Sequence, residues 1–334
     1  MSPITNDPGF KENIFGLAAW TMLFNWVVNM RRKMIKIIGR FFRVTSFVAL
    51  SFLSVCYYCN QNQVFAQYIT GPQTLAIGNA GRASQLAVES VYYNPATLVH
   101  APRADLMFYY NNADLSNDKH LNQYGLSILD NSEDTLFSGH VGYFRSRTFE
   151  AGQSPINEVF YQLSGAFRLK NGWSVGISGK RWDHKIEMGS EYRQYNGDIG
   201  IMFAPQDNLA FGVVYSNPVN AAQEIPLSLR QLPQLGFGSS YIWSEMIELR
   251  ADVSKTLQEN PQNKLKWNVG MAHFFSDFIT LAFGWEHDER LHRSFYTGGV
   301  AINTPRFSLS YGMKSSTSGE KNAMHSVDLR LPIW

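Results

Sequence analysis

From residue 104 to the C-terminus, apolar and polar side chains alternate with a period of two, in segments separated by turn signals. Residues 173–182 put Trp173, Val175 and Ile177 on one face and Ser174, Gly176, Ser178 and Lys180 on the other. Residues 246–255 set Ile247, Leu249, Ala251 and Val253 against Glu248, Arg250, Asp252 and Ser254, and residues 307–314 repeat the pattern. A sheet covered on both faces needs apolar residues on both, so these strands do not belong in one. One face meets an apolar medium and the other meets water or polar groups.

The pattern predicts about fourteen strands: 104–112, 121–129, 135–147, 157–169, 173–185, 192–204, 209–216, 233–243, 245–256, 265–274, 279–287, 294–303, 306–315 and 324–334. Short turns follow the even strands, at Asn171-Gly172, 205–208, Ser244, Ser276-Asp277 and Thr304-Pro305. Longer polar loops follow most odd strands, at 113–120, 148–156, 217–232, 257–264 and 316–323. Outer-membrane barrels alternate short periplasmic turns with longer outside loops in this way. The expected fold class is all-β, a transmembrane antiparallel β-barrel of about fourteen strands spanning 104–334.

Composition narrows the alternatives. Only 17% of residues are charged, against a usual value near 25%, while 14% are aromatic. The formal net charge is +2, and no Lys/Arg cluster occurs outside the N-terminal region, which argues against a nucleic-acid partner. A soluble β-sandwich would carry Lys and Glu on its outer face. Here the polar face is mostly Ser, Gly, Asn and Gln, which suits a tightly filled lumen, and no apolar lumen cluster is evident. Trp173, Trp243, Trp267, Trp285, Phe278 and Trp334 near strand ends fit interfacial girdles.

The N-terminal region reads differently. Basic residues from Arg31 to Arg43 precede an apolar run from Val44 to about Tyr57, and Val64-Phe65-Ala66 follows. That order is a secretory signal, with cleavage expected after Ala66 and Gln67 as the new N-terminus. Cys56 and Cys59 fall inside it, so their CxxC spacing is not read as a metal site. Residues 1–29 read as an upstream extension, with the true start at Met30 or Met34. Residues 1–66 are therefore set apart from the fold.

Residues 67–103 lie between the signal and the first strand. They hold "QTLAIGNAGRASQLAVESVYYNPATLVHAPR", with Gly78, Gly81, Ala83, Ala87 and Glu89 leading to Tyr93, Asn94, Pro95, Ala96 and Leu98. Pro95 pushes Asn94 out of the helical region, and Asn94 bonds backbone in turns. Gly78, Gly81 and Ala96 permit close approach to a wall. The stretch resembles the N-terminal signature of FadL-like and PorV/PorQ-like outer membrane proteins. That resemblance implies a small plug folded into the barrel from the periplasmic side, with Gly78, Gly81, Tyr93, Asn94, Pro95 and Ala96 as its motif.

No catalytic or cofactor motif accompanies this frame, so no enzyme activity is expected. The eight His are scattered, without zinc or triad spacing. Glu286-His287-Asp288-Glu289 with His292 is placed in an outside loop and reads as solvated, with a surface divalent-ion or lipopolysaccharide contact as the alternative. Lys180, Asp198, Glu248, Arg250, Asp252, Asp328 and Arg330 are expected to face the lumen as a polar network that holds the plug, or else as the lining of a solute path. The resemblance implies one of two functions. The polar lumen favours a PorV/PorQ-type component of type IX secretion, with outer membrane lipid, a translocon and cargo proteins as partners. The alternative is a FadL-like transporter for small hydrophobic compounds, with a barrel enzyme as a weaker third.

Overall fold

The computed structural model describes residues 69–333, apart from 102–103, 116–118, 132–136, 151, 188, 258–264, 291 and 318–321. The signal segment, Cys56, Cys59 and Trp334 lie outside the described residues. Fourteen antiparallel strands close on themselves, each paired with its sequence neighbours and β1 with β14. They are β1 (Ala104–Leu115), β2 (Lys119–Asp130), β3 (Phe137–Glu150), β4 (Ile156–Arg168), β5 (Trp173–Ile186), β6 (Glu191–Gln206) and β7 (Leu209–Ser216). The circuit continues with β8 (Gln234–Trp243), β9 (Ile247–Thr256), β10 (Leu265–Ser276), β11 (Ile279–Asp288), β12 (Arg293–Asn303), β13 (Ser308–Ser316) and β14 (Ala323–Pro332). Closure removes every unpaired strand edge, as a backbone in lipid requires.

The alternation sets the faces. Ile177, Phe237, Val269 and Phe283 point outward and are exposed, whereas Ser178, Ser254, Asn268 and Ser326 point inward and are buried. Trp173, Trp243 and Trp267 stand on the outer surface. Tight turns close one end of the barrel: Asn171 and Gly172 both take positive φ, as do Ser244 and Glu245, which matches the twist of a two-residue hairpin.

The opposite end carries the longer connections, and three of them, after β1, β3 and β13, are shorter than the sequence suggests. The stretches 113–115 and 119–120, expected as loop, continue β1 and β2, because Asn112 bonds Asn122 (2.8 Å) and Asp114 bonds His120 (2.6 Å) across the ladder. The longest connection, 217–233, folds over the mouth. Its Leu229 carbonyl accepts from Gln194 Nε2 (2.7 Å), and its Gln231 amide donates back to Gln194 (3.0 Å).

Candidate functional site: the plugged lumen

Residues 69–101 run inside the barrel as a short helix α1 (Pro72–Ala76) and two 3₁₀ turns, Val88–Tyr92 and Pro95–His100. So short a segment has no core of its own, and it is held by the wall. Asn94 begins the second turn with extended backbone (φ −155°), and its Oδ1 accepts from the Ala96 amide (3.0 Å). Its Nδ2 donates to the Arg82 carbonyl (2.8 Å), tying two stretches of plug together. Pro95 takes the first position of that turn, where its missing N–H costs nothing. Ser174 of β5 donates to the Ala96 carbonyl (3.0 Å). The Tyr93 hydroxyl lies within hydrogen-bond distance of Thr70 Oγ1 and Asn79 Oδ1 (2.9 and 3.0 Å).

Gly78 has a positive φ of 66°, and a Cβ there would run into the backbone carbonyls of Val269 and Trp285. Gly81 packs against Thr74 and Tyr93.

On the side formed by β5 to β13 the plug backbone lies directly on the wall. Inward-facing Gly176, Gly200, Gly212, Gly238, Gly270, Gly284, Gly299 and Gly312 each have plug atoms where a Cβ would stand. The contacts follow chain order in reverse: Pro95 and Ala96 meet Gly176, Arg82 meets Gly212, Ile77 meets Gly270 and Pro72 meets Gly312. This track is absent from the expectations above. Its trace in the sequence is one glycine in the lumen phase of strand after strand.

Charged groups pin the plug along the same track. Asp252 Oδ2 accepts from the Gly81 and Arg82 amides (2.9 and 3.0 Å) and pairs with the Arg82 guanidinium (3.2 Å). Arg250 is held bidentate by Glu248 (2.7 and 2.6 Å) and reaches the Ala80 carbonyl (3.4 Å). Thr297 accepts from the Gly78 amide (2.9 Å) and donates to the Ala76 carbonyl (2.8 Å). Lys180 pairs with Asp198 across β5 and β6, and Arg330 lies 3.8 Å from Asp105. These last two pairs join wall to wall, so the seven network residues form separate groups.

The placement of the 286–292 cluster in an outside loop holds for Glu289 and His292, which lie in the β11–β12 connection, but not for Glu286, His287 and Asp288. Glu286 and Asp288 lie on β11 in phase with Gly284, buried in the lumen. Glu286 binds Lys266 (2.9 Å), Lys314 (2.8 Å) and the Asn79 amide of the plug. Among the described residues no group of three His, Cys, Asp or Glu is arranged to hold a metal.

Glu89 of the plug is buried and accepts from the Gln73 and Thr74 amides (3.3 and 2.9 Å) at the start of α1. Burial raises its carboxyl above the ordinary 4.5, opposed by those two amides and by Asp328 beside it.

The other side of the lumen, β1 to β5, keeps many polar residues, Gln123, Ser127, Glu158 and Ser164 among them, but carries an apolar stripe that the expectation of a polar interior did not include. Met107, Tyr109, Leu129, Phe144, Phe160 and Trp182 point inward and pack with Ile69, Val88, Val91, Leu98 and Val99 of the plug. The stripe runs from Trp182 near the long-loop end to Leu129 near the tight-turn end. Its edges are Gln162 Nε2 on the Val91 carbonyl (3.3 Å) and His140 with the Tyr92 hydroxyl (3.2 Å). At the tight-turn end, next to α1, a cavity of about 730 Å³ is lined by Ala76, Ile77, Ile242, Met246, Phe274 and Ala282 among others.

Neither a family model nor a curated protein matches the sequence. Solved structures do match along the barrel. The toluene transporter TbuX of Ralstonia pickettii superposes with a TM-score of 0.63 at 11% identity, covering 80% of this chain and 99% of its own. The CymD monoaromatic hydrocarbon channel gives 0.62 at 14%, with the same coverage. A FadL homologue of Pseudomonas aeruginosa gives 0.61 at 12%, again over 80% and 99%. The fold is that of the FadL-like outer-membrane barrels. At such identities the likeness is one of architecture alone.

Proposed function

We propose that this protein lies in the outer membrane and passes small apolar compounds through its lumen. The inward stripe on β1–β5 carries the reading. Phe144, Phe160 and Trp182 occupy lumen-phase positions, where a merely water-filled or ion-paired interior needs polar side chains. Ligand sites for apolar compounds are lined in this manner. The plug meets the stripe mostly through apolar contacts, whereas charges and backbone bonds hold it on the opposite side. A compound entering at Trp182 therefore displaces side chains such as Ile69 and Val91 without breaking the Asp252 anchor. The neighbours described as toluene and monoaromatic hydrocarbon channels support this reading.

Toluene uptake by cells expressing the protein tests it. Uptake above the empty-vector level is expected, falling severalfold in Phe160→Asn/Trp182→Asn. Uptake no greater than the vector's would contradict it.

A second reading has its own support. The dense bonding on the β5–β13 side suits a barrel that stays shut, as a PorV/PorQ-type component of type IX secretion would. That role predicts no apolar flux and co-purification with a translocon or its cargo.

A further inference from the structure

The outer surface of β3–β6 differs from the rest of the wall. Its outward rows are apolar up to Val141–Leu163–Gly179–Gly197. The next row is Tyr143–Tyr161–Arg181–Tyr195, and beyond it come Arg145–Val159–Asp183–Arg193 and Arg147–Asn157–Lys185–Glu191. Trp173 and Arg181 stand eight residues apart on β5. At about 3.3 Å per residue and a tilt near 40°, they are roughly 20 Å apart along the membrane normal. That matches an apolar band about 25 Å tall, so the Arg rows sit where lipid headgroups lie.

Five cations gather on these rows, against Asp183, Glu187 and Glu191. Arg181 and Arg193 share Asp183 (both 2.7 Å), Lys185 pairs with Glu191 (2.6 Å) and Arg147 with Glu187 (3.0 Å). Arg145 is exposed and has no acidic partner among the described residues. The outward ends of β7, β8 and β10 present Tyr215, Leu235 and Trp267 instead.

A second feature lies directly below. Gly179 and Gly197 face each other across β5 and β6. Nothing lies within 4 Å of where a Gly179 Cβ would be. Gly179 leaves an open depression on the lipid-facing surface, between Ile177 and Ile199 below and Arg181 and Tyr195 above, and Gly197, whose own Cβ position is filled by the Ser178 carbonyl, adds no side chain to close it.

We propose that this face binds a phosphorylated, acylated lipid of the outer leaflet. Arg145 and Arg193 take a headgroup phosphate, and one acyl chain lies in the Gly179–Gly197 depression. Arginine suits the phosphate because its planar fork gives two charge-assisted hydrogen bonds to neighbouring oxygens. The three acids hold Arg181, Arg193, Lys185 and Arg147 in place and leave the patch with a net positive charge; Arg193 spends only its Nε on Asp183, which leaves its terminal nitrogens for the phosphate. A free phosphate would use the arginines alone, so the depression is what singles out a lipid.

The test uses the purified full-length protein in detergent, titrated with bis-phosphorylated lipid A and followed by native mass spectrometry. The wild type is expected to retain lipid A and to bind a phosphate-free version at least tenfold less well. Arg145→Ala/Arg193→Ala should lose at least tenfold in lipid A retention, and Gly179→Leu severalfold. Lys255→Ala, on another part of the surface, should leave retention unchanged. Heat-modifiability on gels selects the variants that have folded. Equal retention by the wild type and the arginine variant overturns the proposal. So does full displacement by millimolar inorganic phosphate together with wild-type binding by Gly179→Leu, which would mark a simple anion site.

Discussion

The two sides of the lumen hold the same plug by different physics. On β5–β13 the plug backbone lies against glycines and is fixed by directed bonds to Asp252, Arg250, Thr297 and Glu286. On β1–β5 it rests mainly on aromatic and aliphatic side chains, through contacts that have no preferred direction, and the directed bonds there, from Asn111 to the Thr70 carbonyl, Gln162 to Val91 and Asn131 to Ala101, come from neutral amides rather than buried charges. A directed, buried ion pair resists displacement because separating it leaves a charge without a partner. An apolar contact can be exchanged for a similar contact with an apolar guest. The difference assigns anchoring to one side and passage to the other.

The largest effect is expected from breaking the anchor. Asp252→Ala strands the Arg82 guanidinium and two plug amides, a loss of about 3–5 kcal/mol for a buried pair deprived of one partner. Single-channel recording should show a large rise in ion leak, and no change in leak would show that the plug is held elsewhere. Gly284→Ala comes next. Its new methyl meets the Ile77 and Gly78 backbone, which has no rotamer to yield. Overpacking of this kind costs about 1–3 kcal/mol, and the same recording should find a smaller leak.

Asn94→Ala removes the cap at Ala96 and the bond to Arg82, a loss of about 1 kcal/mol by analogy with helix caps. Proteolysis of the plug should become modestly faster, and an unchanged rate would mean the turn is held by the wall alone.

The smallest effect concerns pH. Glu89 has a raised folded value, so its contribution is fully present below its ordinary 4.5 and is lost as pH rises through the folded value. Plug protection should weaken as pH climbs above about 4.5, and Glu89→Gln should flatten that dependence. An identical pH profile in the variant would mean that another group sets it.

Much of the barrel was legible because each strand borders lipid on one face, which imposes a period of two that no soluble core would enforce. All fourteen strands fall within a few residues of where that period places them. The lumen was harder to read. Arg82 and Asp252 are 170 residues apart, and Asn79 and Glu286 are 207 apart. Nothing local marks which inward acid meets the plug. Residues 286–289 look like a polar loop, yet Glu286 and Asp288 continue the inward phase of Ala282 and Gly284. Trp182 is equally unmarked locally: it follows Ser178 and Lys180 in the lumen phase, where an apolar side chain is the exception that marks the stripe.

The most direct test ties each side of the plug shut in turn. The described residues contain no Cys, so engineered pairs form without competition there. Val91→Cys/Gln162→Cys, joined by a short bis-methanethiosulfonate linker in place of the Gln162 amide's reach, ties plug to wall at the apolar stripe, and Ala76→Cys/Ala282→Cys, joined in the same way, ties them beside the glycine track. With both bridges verified, toluene uptake should stop in the first variant and return on reduction, while the second keeps wild-type uptake in either state. Unchanged uptake with the stripe bridged, or loss of uptake with the glycine track bridged instead, would contradict the assignment of passage to the apolar side.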